Sequence, residues 1–277
     1  MRLFIWGDSF IASEEPDSWC PVLFDVLGSG VTLAVRLGIA YTKLNRVTTE
    51  SSCGVSGMER LLKQITDELL GQVSIESVNP LEPVKVRSVP KPWKVLGTGN
   101  YAAVFCRQGM EHYAVKIYAP GRPGIEDEAK VYRQLGRHPA YSECYYAGAN
   151  FLVLKRLGGV TFYDAMKQGI LITGQAIEDV DDALRYARSR GLRPHDIHAK
   201  NVMLRDGRGL IVDISDFLKD DDCSMWEDFK KLYYRLYWPV ASRRVFPLPR
   251  PLLETVRRGY RLWRRWNGGR KSKCSPQ

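Results

Sequence analysis

The spacing of apolar residues changes period several times along this chain, and each change predicts an element. Leu3-Phe4-Ile5-Trp6 is a short apolar run closed by Gly7-Asp8-Ser9, which reads as a buried strand ending in a tight turn. From Met58 to Leu70 the spacing becomes helical. Between Val73 and Pro92, the prolines at 80, 83, 90 and 92 interrupt any helix and favour extended backbone. That stretch reads as a linker, or as an extended arm over the element that follows. Val95 to Phe105 reads as strand, glycine turn, strand, and His112 to Tyr118 alternates as a strand with Lys116 amid apolar neighbours. Val131, Tyr132 and Leu135 share one helical face, and Phe151-Leu152-Val153-Leu154 is a further strand. Ile177, Val180, Leu184 and Ala187 mark a long helix that closes at Gly191, a residue suited to a left-handed cap. Leu210-Ile211-Val212 is an apolar run, and Met225, Phe229, Leu232 and Leu236 form the stripe of another helix. In the last helix Leu252, Val256, Tyr260 and Trp263 share a face ringed by Arg257, Arg258, Arg261, Arg264 and Arg265.

Composition narrows the setting. The 277 residues are 44% hydrophobic, enough for a packed core in two domains or one large bilobal domain. No run of eighteen apolar residues occurs, so no transmembrane helix is expected, and the apolar start is too short for a signal peptide. The six cysteines are scattered singly without a Cys-x-x-Cys pair, which argues against metal and disulfide frameworks and for a reducing cytoplasm. Net charge is +10, and residues 242–277 hold eleven Lys/Arg against one acidic residue, Glu254. The body is therefore near neutral, and affinity for polyanions should belong to the tail.

Chemistry enters at Pro194-His195-Asp196-Ile197-His198-Ala199-Lys200-Asn201, followed by Leu210-Ile211-Val212-Asp213. An Asp, an Asn five residues later and a second Asp stand in the order used for phosphoryl transfer. Upstream lie Leu96-Gly97-Thr98-Gly99-Asn100-Tyr101-Ala102-Ala103-Val104-Phe105 and the strand lysine Lys116. Gly97 and Gly99 would let backbone amides approach phosphate with no Cβ in the way. Glu128, or Glu126 in its place, could hold Lys116, though either could simply favour the positive helix N-terminus.

With these four signals in order, residues 91–237 resemble the protein-kinase-like fold, and in particular compact bacterial serine/threonine-kinase-like proteins. Further likeness runs through His138-Pro139-Ala140, Leu154-Lys155-Arg156-Leu157, Asn201-Val202-Met203-Leu204 and Val212-Asp213-Ile214-Ser215-Asp216-Phe217. The resemblance implies an α+β, bilobal architecture with a mostly β N-lobe at 93–154 and a helical C-lobe at 155–240. It implies ATP and Mg2+ as ligands. Asp196 would be the catalytic base, Lys116 and Glu128 the phosphate-contacting pair, and Asn201 and Asp213 the metal ligands. Gly97, Gly99, Val104, Lys116 and His198 would face the nucleotide. Asp228, at a helix start, would brace the catalytic loop, or would merely complement the helix N-terminus.

The departures are as informative. His198 stands where protein kinases commonly carry lysine, as in small-molecule kinases of the aminoglycoside or choline type. Ile214-Ser215 follows Asp213, no Ala-Pro-Glu occurs, and only fourteen residues separate Asp213 from Asp228. Three functions are therefore open: a kinase for protein Ser/Thr, a small-molecule or sugar kinase, and a pseudokinase scaffold. Residues 1–72 resemble the opening of an SGNH (GDSL-type) hydrolase, on Gly7-Asp8-Ser9, Trp19, Pro21, Leu23 and Cys53-Gly54-Val55-Ser56-Gly57. That likeness implies a truncated α/β fragment with Ser9 as nucleophile and Gly54 at the oxyanion hole. The family's later Gly-x-Asn-Asp and Asp-x-x-His blocks are missing, so no ester hydrolysis is expected. Residues 73–92 would be the Pro-rich linker, and 241–277 a basic helix and tail. The tail helix is expected either to pack on the C-lobe or to meet an anionic surface, membrane or nucleic acid.

Overall fold

The computed structural model describes residues 52–79, 82–220 and 223–271. The chain divides into two units, Met1–Lys43 and Leu44–Gln277. Ser9, the first apolar run and the Trp19–Leu23 segment lie outside the described residues.

Five strands form one antiparallel sheet in the order β3-β4-β5-β7-β6. They are β3 (Trp93–Thr98), β4 (Ala102–Arg107), β5 (Tyr113–Tyr118), β6 (Cys144–Ala147) and β7 (Phe151–Lys155). Because side chains alternate across a strand, each strand feeds two different cores. Ala102, Ala114, Tyr118, Leu152 and Leu154 join one apolar cluster, with helix α2 (Ile125–Leu135) contributing Val131, Tyr132 and Leu135. Ala103, Phe105, Val115, Ile117, Phe151 and Val153 join another.

Helix α1 (Ser52–Gln64) and the π-helical segment Ile65–Leu70 cover that second face, burying Leu61, Ile65 and Leu69 against it. Glu68 fastens the contact by accepting hydrogen bonds from the Trp93 indole at 3.2 Å and from Arg107 Nε at 3.1 Å. The 58–70 helix, within the 1–72 segment of the expectation, is thus part of the sheet's own core. The reason is its apolar stripe, which needs a partner surface that the outer face of the sheet supplies. The helix begins before Met58, because α1 already includes the Cys53–Gly57 block. Residues 73–92, expected as a linker or an extended arm, are extended and in part paired. Strands β1 (Ser74–Glu76) and β2 (Lys85–Ser88) pair antiparallel, and Val84 is buried in the outer core.

The inner cluster continues without a break into the helices that follow. These are α3 (Phe162–Gln168), α4 (Gly174–Ser189) and α5 (Met225–Leu232). Thr161 and Thr173 cap α3 and α4, each hydroxyl accepting a backbone N–H at 3.0 Å. Gly191, at φ 74°, ends α4 as the sequence suggests. A second sheet pairs β8 (Val160–Thr161), β9 (Val202–Arg205) and β10 (Arg208–Ile211) in the order β10-β9-β8. Asp206 and Gly207, both at positive φ, make the two-residue turn of the β9–β10 hairpin. Gly209 lets β10 meet α4 closely, since a Cβ there would sit 2.2 Å from the Ala176 carbonyl oxygen.

The α5 stripe is displaced from its expected register. Trp226 and Tyr233 are buried, whereas Leu232 and Leu236 are exposed. A π-helical turn at Tyr233–Tyr237 follows α5 directly, and the larger aromatic rings take the inward positions. Helix α6 (Trp238–Ala241) leads on towards α7 (Arg250–Lys271). In α7 Leu253 is buried, while Leu252, Val256 and Trp263 of the expected packing face are about half exposed.

Candidate active site

Register across the sheet assembles the upstream half of the site. Gly97 pairs with Val104, and Val104 pairs with Lys116. Cross-strand partners share a face, so these three form one row on the inner side. The glycine hairpin is exposed, and its turn is closed by the Gly99 N–H donating to the Ala102 carbonyl at 2.8 Å. Its flanks are tied down as well. Val84 N–H donates to the Gly99 carbonyl and Ala119 N–H to the Tyr101 carbonyl.

At the end of that row Lys116 Nζ lies 2.9 Å from Glu128 Oε1 and 3.4 Å from Asp213 Oδ1. Glu126, the alternative, is exposed. Glu128 is wholly buried, and the Tyr118 hydroxyl donates to its second oxygen. Burial raises the Glu128 carboxyl above its usual range, with Lys116 opposing. For Lys116 burial works downward, but Asp213 and Glu128 outweigh it and hold the ammonium charged well above its usual range. Desolvation pushes Asp213 up, yet Lys116 and the Ser215 amide, donating at 3.1 Å, bring it below the usual carboxylate range.

The downstream half is a loop bent back on itself. Asp196 has φ 58°, a left-handed conformation that Asp tolerates better than most residues. Asn201 holds the bend, its Nδ2 donating to the Asp196 carbonyl at 3.0 Å and its N–H to the His198 carbonyl at 2.8 Å. Val212 N–H donates to the Asn201 carbonyl at 3.0 Å, which fastens Asn201 to the residue before Asp213. Partial burial raises the Asp196 carboxyl, and Asp216 and Asp213 add to it, while His198 opposes. His198 Nε2 stands 3.9 Å from Asp196 Oδ2. His195 Nδ1 is buried with no hydrogen-bond partner among the described residues, 4.0 Å from Asp216.

Asp228 does not reach this loop. Its carboxylate accepts from Ser224, Lys231 and the Tyr260 hydroxyl, so it ties α5 to α7 instead. The bridge from α5 back to α4 is Asp181, which accepts from the Trp226 indole at 2.6 Å and from Lys230 at 2.9 Å. Two further residues at the site escaped the sequence reading. Tyr118 shares the inner face with Lys116 by strand alternation alone, and Asp216 stands in the quoted Val212–Phe217 block without a role assigned to it.

An ammonium fixed between two carboxylates, beside a glycine hairpin and a loop rich in oxygen donors, is the equipment of a phosphotransferase fold. No family model matches the chain. It is 32% identical over 166 residues, 59% of this chain and 75% of the relative, to the "Putative serine/threonine-protein kinase YrzF" of Bacillus subtilis (strain 168). It is 24% identical over 200 residues to the "Probable serine/threonine-protein kinase fhkC" of Dictyostelium discoideum. That alignment takes in 63% of this chain and 32% of that relative, so the chain spans about a third of its length. The chain belongs to the serine/threonine-protein-kinase-like family. No hydrolase appears among these relatives, and among the described residues no helix is long and apolar enough to cross a membrane.

Proposed function

We propose that this protein is a kinase that uses ATP and Mg2+ to transfer the γ-phosphate to a hydroxyl acceptor, a serine or threonine of a protein. The observation that carries the proposal is the Lys116 ammonium, held by Glu128 at 2.9 Å and Asp213 at 3.4 Å, in register with Gly97 across Val104. The sheet with α2 acts as one lobe and the α3–α5 region as the other. Lys116 binds the nucleotide phosphates, and Glu128, braced by Tyr118, keeps the ammonium aimed. The exposed backbone around Gly97 and Gly99 cradles phosphate oxygens.

The donor set fits a magnesium ion. Asn201 spends its amide N–H on Asp196, which leaves a carbonyl-type oxygen, and Asp213 offers a carboxylate whose side chain keeps 38% exposure. No cluster of three or more His, Cys, Asp or Glu able to hold a metal occurs among the described residues. Magnesium usually takes one or two protein oxygens together with substrate phosphates. When bound, the ion neutralises charge on the phosphoryl group. Asp196 accepts the proton of the attacking hydroxyl, its carboxyl raised first by partial burial and then by Asp216 and Asp213.

His198 favours a second reading, a small-molecule acceptor, because it stands beside Asp196 where protein kinases commonly carry lysine. Incubation with labelled ATP and magnesium against the protein itself, generic proteins and a metabolite panel decides between the two. For nucleotide binding, ATP should raise the melting temperature only when magnesium is present, and Asp213→Ala should abolish that dependence. An unchanged magnesium-dependent shift in Asp213→Ala would remove the metal assignment.

A further inference from the structure

Helix α7 lies against the body by its polar side. The Tyr163 hydroxyl donates to Glu254 at 2.9 Å, and the Tyr260 hydroxyl donates to Asp228 at 3.0 Å. Leu253, 9% exposed, is the buried apolar residue of the helix. With about 3.6 residues per turn, Leu252, Val256, Leu262, Trp263 and Trp266 fall in one sector of about 120° on the other side. All five are at least half exposed, Leu262 at 60% and Trp266 at 83%. A surface helix of a globular protein normally turns such a stripe inward. Here the stripe faces out.

Charge says what the stripe meets. Residues 242–277 carry eleven Lys/Arg, and Arg257, Arg258 and Arg261 are exposed on α7 outside the stripe. The single acidic residue, Glu254, is already engaged by Tyr163 and by Arg257 at 3.2 Å. A nucleic acid would call for the arginines, not Leu252, Val256 and Leu262, to face outward. An apolar stripe with tryptophans, opposed by arginines, matches a helix lying in the plane of a lipid interface. We propose that α7 docks this protein on an anionic bilayer surface, its outward stripe entering the headgroup boundary while Arg258, exposed about 40° around the helix from Leu262, meets lipid phosphates and the other arginines add long-range attraction.

The attachment reaches the catalytic loop. Tyr163 N–H donates to the Ala199 carbonyl at 2.9 Å, and Lys200 Nζ lies 4.6 Å from the Tyr163 ring centroid. A bound membrane would therefore sit at a fixed offset from Asp196 and Asn201.

The test is co-sedimentation of the full chain with phosphatidylcholine vesicles, with and without phosphatidylserine, read together with tryptophan emission. Binding with a blue shift is expected on the anionic vesicles and should weaken as salt is raised. The triple variant Leu262→Ser, Trp263→Ser, Trp266→Ser should lose at least about tenfold in partitioning while keeping its melting temperature, because these side chains are exposed. Arg258→Glu with Arg261→Glu should bind anionic and neutral vesicles equally weakly. Absence of binding to anionic vesicles at low salt, or undiminished binding by the triple variant, overturns the proposal. So does a response to single-stranded DNA that survives the triple variant and exceeds the response to lipid.

Discussion

The two halves of the candidate site are built on opposite principles. The upstream half, Lys116, Glu128 and Tyr118, is buried and saturated, with every charge answered at hydrogen-bond distance. The downstream half, Asp196, His198 and Asn201, is a half-open loop held in shape through backbone groups, its side chains left largely uncommitted. Asp213 touches both. The contrast teaches that the first half is part of the fold's stability, whereas the second is poised for something outside the chain. Removing a partner from a buried pair strands the other charge, and removing a solvent-facing carboxylate strands nothing.

Substitutions at the two halves can break that contrast. Asp196→Asn should lower phosphoryl transfer by roughly 10²–10⁴-fold, the usual range for losing a general base. Its stability should stay within about 0.5 kcal/mol of the parent, because Asn also accepts a left-handed backbone. Denaturant melts with an unchanged slope would check the second half of that statement. Full transfer activity in this variant would unseat Asp196 as the base.

Lys116→Met should behave differently, costing roughly 3 kcal/mol of stability along with nucleotide binding. The sign of its pH dependence follows from Glu128, whose folded carboxyl is already raised by burial and loses the Lys116 charge that opposes the rise. A carboxyl with a raised folded pKa gains stability as pH falls, so the deficit should shrink on acidification. A loss no larger than that of Asp196→Asn would erase the distinction between the halves.

The smallest effect is expected at Asp216. Its negative charge helps to raise the Asp196 carboxyl. Asp216→Asn should therefore move the acid limb of the rate profile to lower pH with little change in the plateau. A limb that stays in place, or moves up, would show that Asp216 does not tune Asp196.

What the sequence disclosed divides along similar lines. The alternation around Lys116 and the helical spacing of Val131, Tyr132 and Leu135 are local patterns, and they located β5 and α2. The row from Gly97 through Val104 to Lys116 follows once the strands pair, so the upstream half was legible. The outer cover was not. The stripe of α1 says that it packs, but only three-dimensional pairing says that it packs on Phe105, Val115 and Val153. The prolines between 80 and 92 masked a short strand pair, and the Asp206-Gly207 turn signal went unused. In α5 leucines suggested a stripe that aromatic rings took over through a π-helical turn, a change of period no linear pattern anticipates. Asp228 meets Ser224, Lys231 and Tyr260 for the same reason, since helix register decides which neighbour a carboxylate meets.

The cover formed by α1 and the Ile65–Leu70 segment also has a meaning in time. It is made before the surface it needs, since Leu61, Ile65 and Leu69 precede Phe151 and Val153 in the chain. The ribosome must add about 90 residues after Ile65 before strand β7 is complete, which at roughly 5–20 residues per second takes on the order of 5–20 s. Throughout that interval the apolar stripe lacks the part of its native partner surface that Phe151 and Val153 supply. Nascent chains of this protein thus pass through a sticky phase whose length is set by translation speed, and slowing synthesis anywhere between Gly71 and Val153 lengthens it.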